Sequence, residues 1–209
     1  MQVEIIFFLV ILIFSIIIHE VAHGFVAEMF GDPTARLAGR LTLNPLPHID
    51  IMGSIIVPAL MVLGSTAAGY PFAFGWAKPV PYNPYNLRNF KWGTIFVGAA
   101  GVLANLIIAI IFGLMIRYHM PLGIVSENFF EILTIIVSLN VTLAVFNMIP
   151  FPPLDGAKVL FALLPYRFQY IHDYLEQNLF LFIIFIFFIA KHIITPISQL
   201  LFSVITGQS

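Results

Sequence analysis

Residues 5–23 read IIFFLVILIFSIIIHEVAH. They belong to an apolar segment that extends from about residue 3 to residue 30, interrupted only by Glu4 and by a polar cluster near its C-terminal end. Gly31-Asp32-Pro33 then stops the segment, because proline disfavours a helical residue before it and glycine suits a helix end. The segment exceeds the roughly 20 residues that a helix needs to cross a bilayer. It therefore predicts a membrane-spanning helix that carries ionisable side chains.

The rest of the chain has the same apolar character. Of its 209 residues, 60% are hydrophobic and 9% are charged, against about 25% charged residues in an ordinary soluble domain. Further long apolar segments cover residues 93–116, 129–149 and 179–205, whereas the apolar part of residues 51–77 is too short for a full span. We expect an all-α polytopic membrane protein, a helical bundle within one membrane-embedded domain over residues 1–209. A re-entrant helix and extended loop at 51–77 would separate its first two full spans.

Two features of the composition exclude other classes. The chain has no cysteine, which excludes disulfides and thiolate metal sites. Its formal net charge of -1 gives no indication of a nucleic-acid partner. The partner that the composition does indicate is the lipid bilayer.

The polar cluster of the first segment, His19-Glu20-Val21-Ala22-His23, is an HExxH motif. Positions i and i+4 lie on one face of a helix, so His19 and His23 can bind one metal ion. Glu20 stays near that ion and can accept a proton from a metal-activated water. Each ionisable residue inside a membrane costs about 2.5–3.5 kcal/mol on insertion scales, which favours a functional role for the motif. The alternative is a polar cluster that only packs against another helix.

A catalytic zinc ion usually has three protein ligands and one open position. Asp155 is the most favourable candidate for the third, because it lies in Pro150-Phe151-Pro152-Pro153-Leu154-Asp155-Gly156, where a long apolar segment ends. Irregular backbone at membrane depth is tolerated only where it lines a cavity enclosed by protein. An ordinary polar turn leaving the membrane is the alternative. The other candidate ligands are His48, His119, His172, His192, Asp50, Asp173 and some of the glutamates.

Together, these two motifs resemble the site-2 protease family of intramembrane metalloproteases. HEVAH lies in one membrane segment, and Asn147-Met148-Ile149-Pro150 leads to Leu154-Asp155-Gly156 in a later one. The resemblance covers about residues 16–159. Four other stretches are similar to the short prokaryotic branch without a PDZ domain: GDPTA (31–35), GRLTLNP (39–45), PHID (47–50) and FGWAKPVP (74–81).

The resemblance implies a function and a site. One zinc ion per chain would be bound by His19, His23 and Asp155, with Glu20 as the catalytic base. The substrate would be a transmembrane protein, cut within or near the bilayer. The chain departs from the family pattern at Val102 and Ile51, where proline is expected, and neither position is a ligand.

Asparagines in the apolar segments are further candidates for the site. Asn147 matches the asparagine of the family motif and could donate to the carbonyl oxygen that becomes negative in the tetrahedral intermediate. Asn105 matches the asparagine of a second family motif, Gly101-Val102-Leu103-Ala104-Asn105, and is a weaker catalytic candidate. Both, together with Asn140, could instead serve as interhelical contacts.

The topology follows from parity and charge. His23 and Asp155 must lie near the same membrane side, and this requires the segment at 51–77 to enter and leave on one side. That side would then be rich in basic residues and the opposite side would hold only Arg117 among its loops, so the positive-inside rule places the metal site toward the cytoplasm. The basic residues on the site's side are Arg36, Arg40, Lys78, Arg88, Lys91, Lys158 and Arg167. If the segment at 51–77 spanned the membrane, the basic residues would be divided more evenly between the two sides, and their weak bias would favour the opposite orientation.

Alternatives remain for the extended region and for the function. Residues 72–81 could hold a substrate by strand addition or could cover the metal as a plug. A transporter with a structural metal site would place its polar residues along a pathway, often in two repeated halves, and no repeat is visible. A di-iron oxidase or desaturase would need more than the six histidines present. The sequence indicates no oligomeric state.

Overall fold

The computed structural model describes residues 2–57, 59–61, 75–122, 126–178, 181–182, 184–185 and 189–208. Within these ranges all regular structure is helical, which confirms the predicted all-α class. The α-helices are α1 (Gln2–Met29), α2 (Thr34–Leu37), α3 (Phe90–Leu122), α4 (Glu127–Asn147), α5 (Asp155–Leu163), α6 (Gln169–Glu176) and α7 (Thr195–Thr206). Short 3-10 turns lie at Leu46–His48, Pro84–Asn86 and Tyr166–Phe168, and π-helical turns at Ile51–Ile56 and Ala190–Ile194.

Three of these helices are long and apolar enough to cross a membrane: Ile6–Met29, Phe90–Tyr118 and Glu127–Asn147. They coincide with the predicted segments at 3–30, 93–116 and 129–149, with shifts of a few residues at their ends. The predicted fourth span, 179–205, lies partly outside the described residues. Its described C-terminal part, His192–Thr206, is too short to be counted as a span by itself, so the full crossing stays a prediction.

Helix α3 is the centre of the bundle and packs against α1, α4, α5 and α7. One core cluster joins α3 and α4 through buried apolar side chains, and Phe202 and Ile205 of α7 pack against it. Large apolar side chains such as Ile6, Phe8 and Ile111 are exposed on the outside of the bundle. A surface of this kind suits a protein surrounded by lipid, since lipid imposes no penalty on exposed apolar groups.

The chain around residues 49–77 leaves and returns at the same end of α1. The amide of Lys78 donates to the carbonyl of His48 at 2.9 Å, and further along the amide of Arg88 donates to the carbonyl of Phe30 at 2.8 Å. Because both ends of the segment meet, it cannot cross a bilayer once between them. The predicted re-entrant region at 51–77 stays a prediction, and residues 58 and 62–74 of it lie outside the described part.

A close backbone contact directs Asp155 back toward α1. A Cβ atom at Gly156 would lie 2.1 Å from the carbonyl oxygen of Met148, so only glycine fits beside the turn that follows α4. Helix α5 begins at Asp155, immediately before this glycine. The Leu154-Asp155-Gly156 sequence therefore folds an acidic residue into the bundle, where Asp155 is buried.

Candidate metal centre

Helix α1 presents His19 and His23 on the same face, one turn apart. Both side chains are buried, and their Nε2 atoms lie 3.1 Å from each other. Their rings meet edge to face with centroids 4.7 Å apart. The spacing of four residues thus brings the two nitrogens together as the sequence predicts.

Asp155 completes the cluster from the start of α5. Its Oδ2 atom lies 2.9 Å from Nε2 of His19 and 3.0 Å from Nε2 of His23. The three ligand atoms therefore face a common point, and together they could hold a metal ion. This is the set that the sequence analysis favoured.

The other described candidates for a third ligand have different partners. His48 bonds to the backbone of its own loop through Nε2, and Asp50 accepts from the amide of Gly53 at the start of a π-helical turn. His172 and Asp173 contact each other on α6. His192 lies in the π-helical turn before α7, and the side chain of His119 is outside the described part.

The backbone of α3 fixes the second nitrogen of His23. Nδ1 of His23 lies 2.6 Å from the carbonyl oxygen of Val97. A carbonyl can only accept, so Nδ1 carries the proton and Nε2 presents its lone pair to the cluster. Nδ1 of His19 lies 2.6 Å from Oδ1 of Asn105, also on α3. Metal-binding histidines in proteins are commonly oriented by such partners on the other nitrogen.

A glycine allows α3 to approach the cluster this closely. A Cβ atom at Gly101 would lie 2.4 Å from Cε1 of His19. The ring of His19 therefore rests against the α3 backbone, one turn before Asn105. The Gly101-to-Asn105 spacing places the close contact and the hydrogen-bond acceptor on one face of the helix.

The chemistry of the donor atoms fits zinc. With both Nδ1 atoms protonated, the three facing atoms are all acceptors, and Oδ2 of Asp155 is buried without a hydrogen-bond donor. Such a group of acceptors needs a cation to relieve its repulsion. Two imidazoles and one carboxylate are a common ligand set of catalytic zinc. Tetrahedral zinc with bonds of about 2.0–2.1 Å would hold its ligand atoms about 3.3 Å apart, close to the separations of 2.9–3.1 Å found here.

Lys158 binds the other oxygen of the aspartate. Its Nζ atom lies 2.9 Å from Oδ1 of Asp155, one turn along α5. The carboxylate is therefore held at both oxygens, with Oδ1 toward the ammonium group and Oδ2 toward the histidines. The ammonium leaves only Oδ2 directed at the cluster.

Glu20 contacts the extended chain that crosses α1. Its Oε2 atom accepts a hydrogen bond from the amide of Val80 at 2.8 Å. We call residues 77–81 the strap. Val80 is buried against Gly24, at which a Cβ atom would lie 2.8 Å from Cγ1 of Val80. Glycine one turn after Glu20 thus lets the strap lie directly on the helix.

Arg40 holds the strap in place. Its side chain is buried, and Nη2 donates to the carbonyls of Lys78 at 2.7 Å and Pro79 at 3.2 Å. The guanidinium group thus binds the two residues that precede Val80. Residues 75–81, the described part of the segment that could hold a substrate by strand addition or cover the metal, form no strand.

The sequence is similar to those of known proteins. The model of peptidase family M50 matches residues 119–190. “Putative zinc metalloprotease YwhC” of Bacillus subtilis is 37% identical over 164 residues, which cover 76% of this chain and 69% of that protein. The chain belongs to peptidase family M50, the site-2 proteases. It is accordingly a zinc metalloprotease with membrane-spanning helices, which favours proteolysis over the transporter alternative.

Two other similar proteins extend well beyond the region that matches this chain. “Putative zinc metalloprotease Rip2” of Mycolicibacterium smegmatis is 34% identical over 70% of this chain and 52% of its own length. “Zinc metalloprotease MJ0392” of Methanocaldococcus jannaschii is 24% identical over 78% of this chain and 35% of its own length. The chain therefore spans about half of the first and about a third of the second. No solved structure is significantly similar to it.

The M50 match includes Asp155 and Asn147 but not the HExxH motif of α1. Asn147 donates from Nδ2 to the carbonyl of Leu143 at 3.0 Å, within its own helix. Asn105 is fully buried, and its amide contacts His19 and Asn140. The structure thus gives both predicted catalytic asparagines protein partners.

The sequence analysis assigns no role at the site to three residues that contact the cluster or its neighbours: Ser15, Val80 and Lys158. It predicts Asn140 only as an interhelical contact. Lys158 follows Asp155 by one helical turn, so its contact was foreseeable. No sequence pattern predicts that the backbone amide of Val80 contacts Glu20.

Proposed function

We propose that this chain hydrolyses peptide bonds of membrane-protein substrates, within or near the bilayer, with one zinc ion held by His19, His23 and Asp155. The observation that carries the proposal is the convergence of Asp155, from the start of α5, on two histidines inside a helix long enough to span a membrane. Residues 1–209 would act as one membrane-embedded metalloprotease domain. Membership of the M50 family supports both the metal and the reaction.

The glutamate and the two histidines of the HExxH motif have different roles in this proposal. When bound, zinc acidifies a water molecule and polarises the carbonyl of the scissile bond. Glu20 accepts a proton from the attacking water and later gives it to the leaving nitrogen. The amide of Val80 orients the carboxylate of Glu20 for this transfer. His19 and His23 stay neutral and bind through Nε2.

The asparagines differ in what they can contribute. Asn105 acts through His19, since its oxygen faces Nδ1 of that ring. Asn147 remains a candidate for contact with the substrate carbonyl, because its amide nitrogen has a second hydrogen besides the one donated to the carbonyl of Leu143. A transmembrane substrate helix must likewise free its own backbone groups before water can attack them.

The location proposed for this chain is the cell membrane, which it crosses several times, with the metal site toward the cytoplasm. The return of the chain to the C-terminal end of α1 supports a re-entrant segment. The basic residues near that end, among them Arg36, Arg88 and Lys91, support the cytoplasmic side through the positive-inside rule.

Substitution of Glu20 separates metal binding from chemistry. Glu20→Gln should keep about one zinc per chain and lose at least about 100-fold in cleavage rate, the lower end for general acid–base catalysis. His19→Ala should lose both zinc and activity. Glu131→Gln, on the exposed surface of α4, is a matched control that should change neither.

The substrate can be found by quantitative proteomics of membrane fragments from cells that express wild-type protein or Glu20→Gln. Fragments specific to the wild type would identify it, and their cleavage can then be timed in proteoliposomes. Near-normal cleavage by zinc-loaded Glu20→Gln would refute its role as the base. Undiminished zinc in Asp155→Ala would refute the third ligand.

A further inference from the structure

A line of polar side chains crosses the bundle behind the metal centre. Ser15 of α1, Asn105 of α3 and Asn140 of α4 are buried among apolar residues, and both asparagines have no exposed surface. Polar groups at membrane depth are retained only where they are paired and useful. The line ends at His19, which suggests a function connected with the metal centre.

Hydrogen bonds join these groups to one another and to the backbone of α4. Oδ1 of Asn105 lies 2.6 Å from Nδ1 of His19, and Nδ2 of Asn105 donates to Oδ1 of Asn140 at 2.8 Å. Nδ2 of Asn140 donates to Oγ of Ser15 at 2.9 Å and to the carbonyl of Ile136 at 2.9 Å. These bonds therefore link α4 to α1 in two ways, directly through Ser15 and by way of Asn105 on α3.

The direction of every bond is fixed by a backbone carbonyl. The carbonyl of Ile136 can only accept, so the amide nitrogen of Asn140 must face it and its oxygen must face Asn105. Asn105 then has to donate to Asn140, which turns its own oxygen toward His19. The carbonyl of Ser15, 3.4 Å from Nδ2 of Asn105, favours the same orientation.

This direction determines the tautomer of His19. Because Oδ1 of Asn105 can only accept, Nδ1 of His19 must carry the proton, and the lone pair is left on Nε2. Nε2 is the atom that faces Asp155 and His23. The other histidine needs no such side chain, since its Nδ1 bonds directly to the carbonyl of Val97.

We propose that Asn140 and Ser15 are positioning residues of the metal centre, which act through Asn105 to hold His19 as the Nδ1-protonated tautomer. The inference rests on the proposed zinc site. A purely adhesive role would need hydrogen bonds between helices but no common direction, whereas these bonds run one way and end on a ligand. Partners of this kind typically change metal affinity by 10–100-fold when they are removed.

The test is the zinc affinity of purified protein in detergent, measured by competition with a chelator. Asn140→Leu should weaken zinc binding about 10–100-fold and should alter the visible spectrum of the Co²⁺-substituted protein, because the ring of His19 is no longer fixed. Thr206→Val is a matched control. It removes a buried hydroxyl that bonds within α7 and should leave affinity and spectrum unchanged.

A double substitution distinguishes positioning from adhesion. If Asn140 acts through Asn105, then Asn105→Leu with Asn140→Leu should bind zinc no more weakly than Asn105→Leu alone. Asn140→Asp should retain more of the affinity than Asn140→Leu, since burial favours the neutral carboxyl, which keeps the acceptor facing Asn105 and one of the two donors of the amide. Independent, additive losses would overturn the inference.

The controls keep the outcomes separate. Wild-type zinc affinity and cobalt spectrum in folded Asn140→Leu would overturn the inference while leaving the proposed function intact. Zinc retained by His19→Ala would refute the proposed site itself. Should Asn140→Leu fail to fold, Asn105→Leu tests the same line, and wild-type affinity in that variant overturns the inference equally.

Discussion

The amide of Val80 donates a hydrogen bond to Oε2 of Glu20, with the two atoms 2.8 Å apart. The residues are 60 positions apart in the chain, and the strap that brings them together is bound by Arg40. A single backbone donor therefore orients the side chain proposed as the catalytic base. Since the donor belongs to the backbone, only proline at position 80 can remove it directly.

Val80→Pro should slow cleavage while leaving zinc content unchanged. Hydrogen bonds to charged groups contribute about 1.5–3 kcal/mol, which corresponds to roughly 10–100-fold in rate. Pro79 and Pro81 already keep the strap extended, so a proline between them suits the local backbone. Cleavage of an identified substrate in proteoliposomes is the measurement.

Val80→Ala is the matched control for that substitution. It keeps the amide and removes only the packing against Gly24, so its cleavage rate should stay closer to that of the wild type. Equal losses in both variants would contradict an orienting role for the amide and would assign the effect to packing of the strap.

Lys158→Met should weaken zinc binding about 10–100-fold, the usual range for partners of metal ligands. The ammonium group holds Oδ1 of Asp155 at 2.9 Å and so leaves Oδ2 for the metal. Lys158→Arg should retain most of the affinity, because the guanidinium group can make the same contact. Chelator competition gives the affinities, and equal weakening in both variants would show that the charge at this position is not what matters.

Gly101→Ala should disturb the metal centre more than the fold. The added methyl group would lie 2.4 Å from the ring of His19, which must then move. Gly113→Ala adds a methyl group 2.3 Å from Cγ2 of Ile205. It lies on the same helix, about three turns further from the cluster. We expect reduced zinc affinity only in Gly101→Ala and a lower melting temperature in both. Unchanged zinc affinity in Gly101→Ala would contradict the close approach.

The spans were predictable from sequence because a membrane imposes its own length on an apolar helix. The pairing of His19 with His23 was likewise local, being one turn of α1. The contacts of Asn105 with His19 and of Glu20 with Val80 were not, since each joins residues at least 60 positions apart. Each depends on which face of α3 or of the strap meets α1. Asn105 could therefore be predicted as part of the site, but its role was found only from its partners.

Asp32 should stabilise the protein in a pH-dependent way. Burial raises the pKa of its carboxyl, but hydrogen bonds from Thr34, Asn83 and Asn86 lower it by more, so the pKa of Asp32 lies below its ordinary value. A lowered folded-state pKa contributes stability above the unfolded-state pKa of about 3.9, and this contribution is lost as the pH falls below it. The carboxylate joins the end of α1 to the chain that follows the strap.

Asp32→Asn measures that contribution, since it keeps the shape and removes the charge. The variant should melt at a lower temperature than the wild type near neutral pH, and the difference should shrink as the pH falls to about 3. Thermal unfolding in detergent at several pH values gives the difference. A constant gap over the whole range would contradict the pKa shift as its cause.

The topology can be tested with single cysteines, because the chain has none of its own. Asn44 lies before the re-entrant region and Tyr85 after it, and both are exposed. Tyr85 is preferable to its neighbour Asn86, which bonds to Asp32. Ser126 lies at the opposite end of the bundle, at the start of α4.

A membrane-impermeant thiol reagent added outside intact cells should label a cysteine at Ser126 and neither of the other two. The reason is geometric as well as electrostatic: the backbone bonds between Lys78 and His48 and between Arg88 and Phe30 hold both flanks of the region at one end of α1. By the positive-inside rule, the basic residues at that end favour the cytoplasmic side proposed for it. Labelling of all three positions after permeabilisation is the control. Labelling of position 85 but not 44 in intact cells would show that the region crosses the bilayer, and Asp155 could not then reach His19 and His23 from α5.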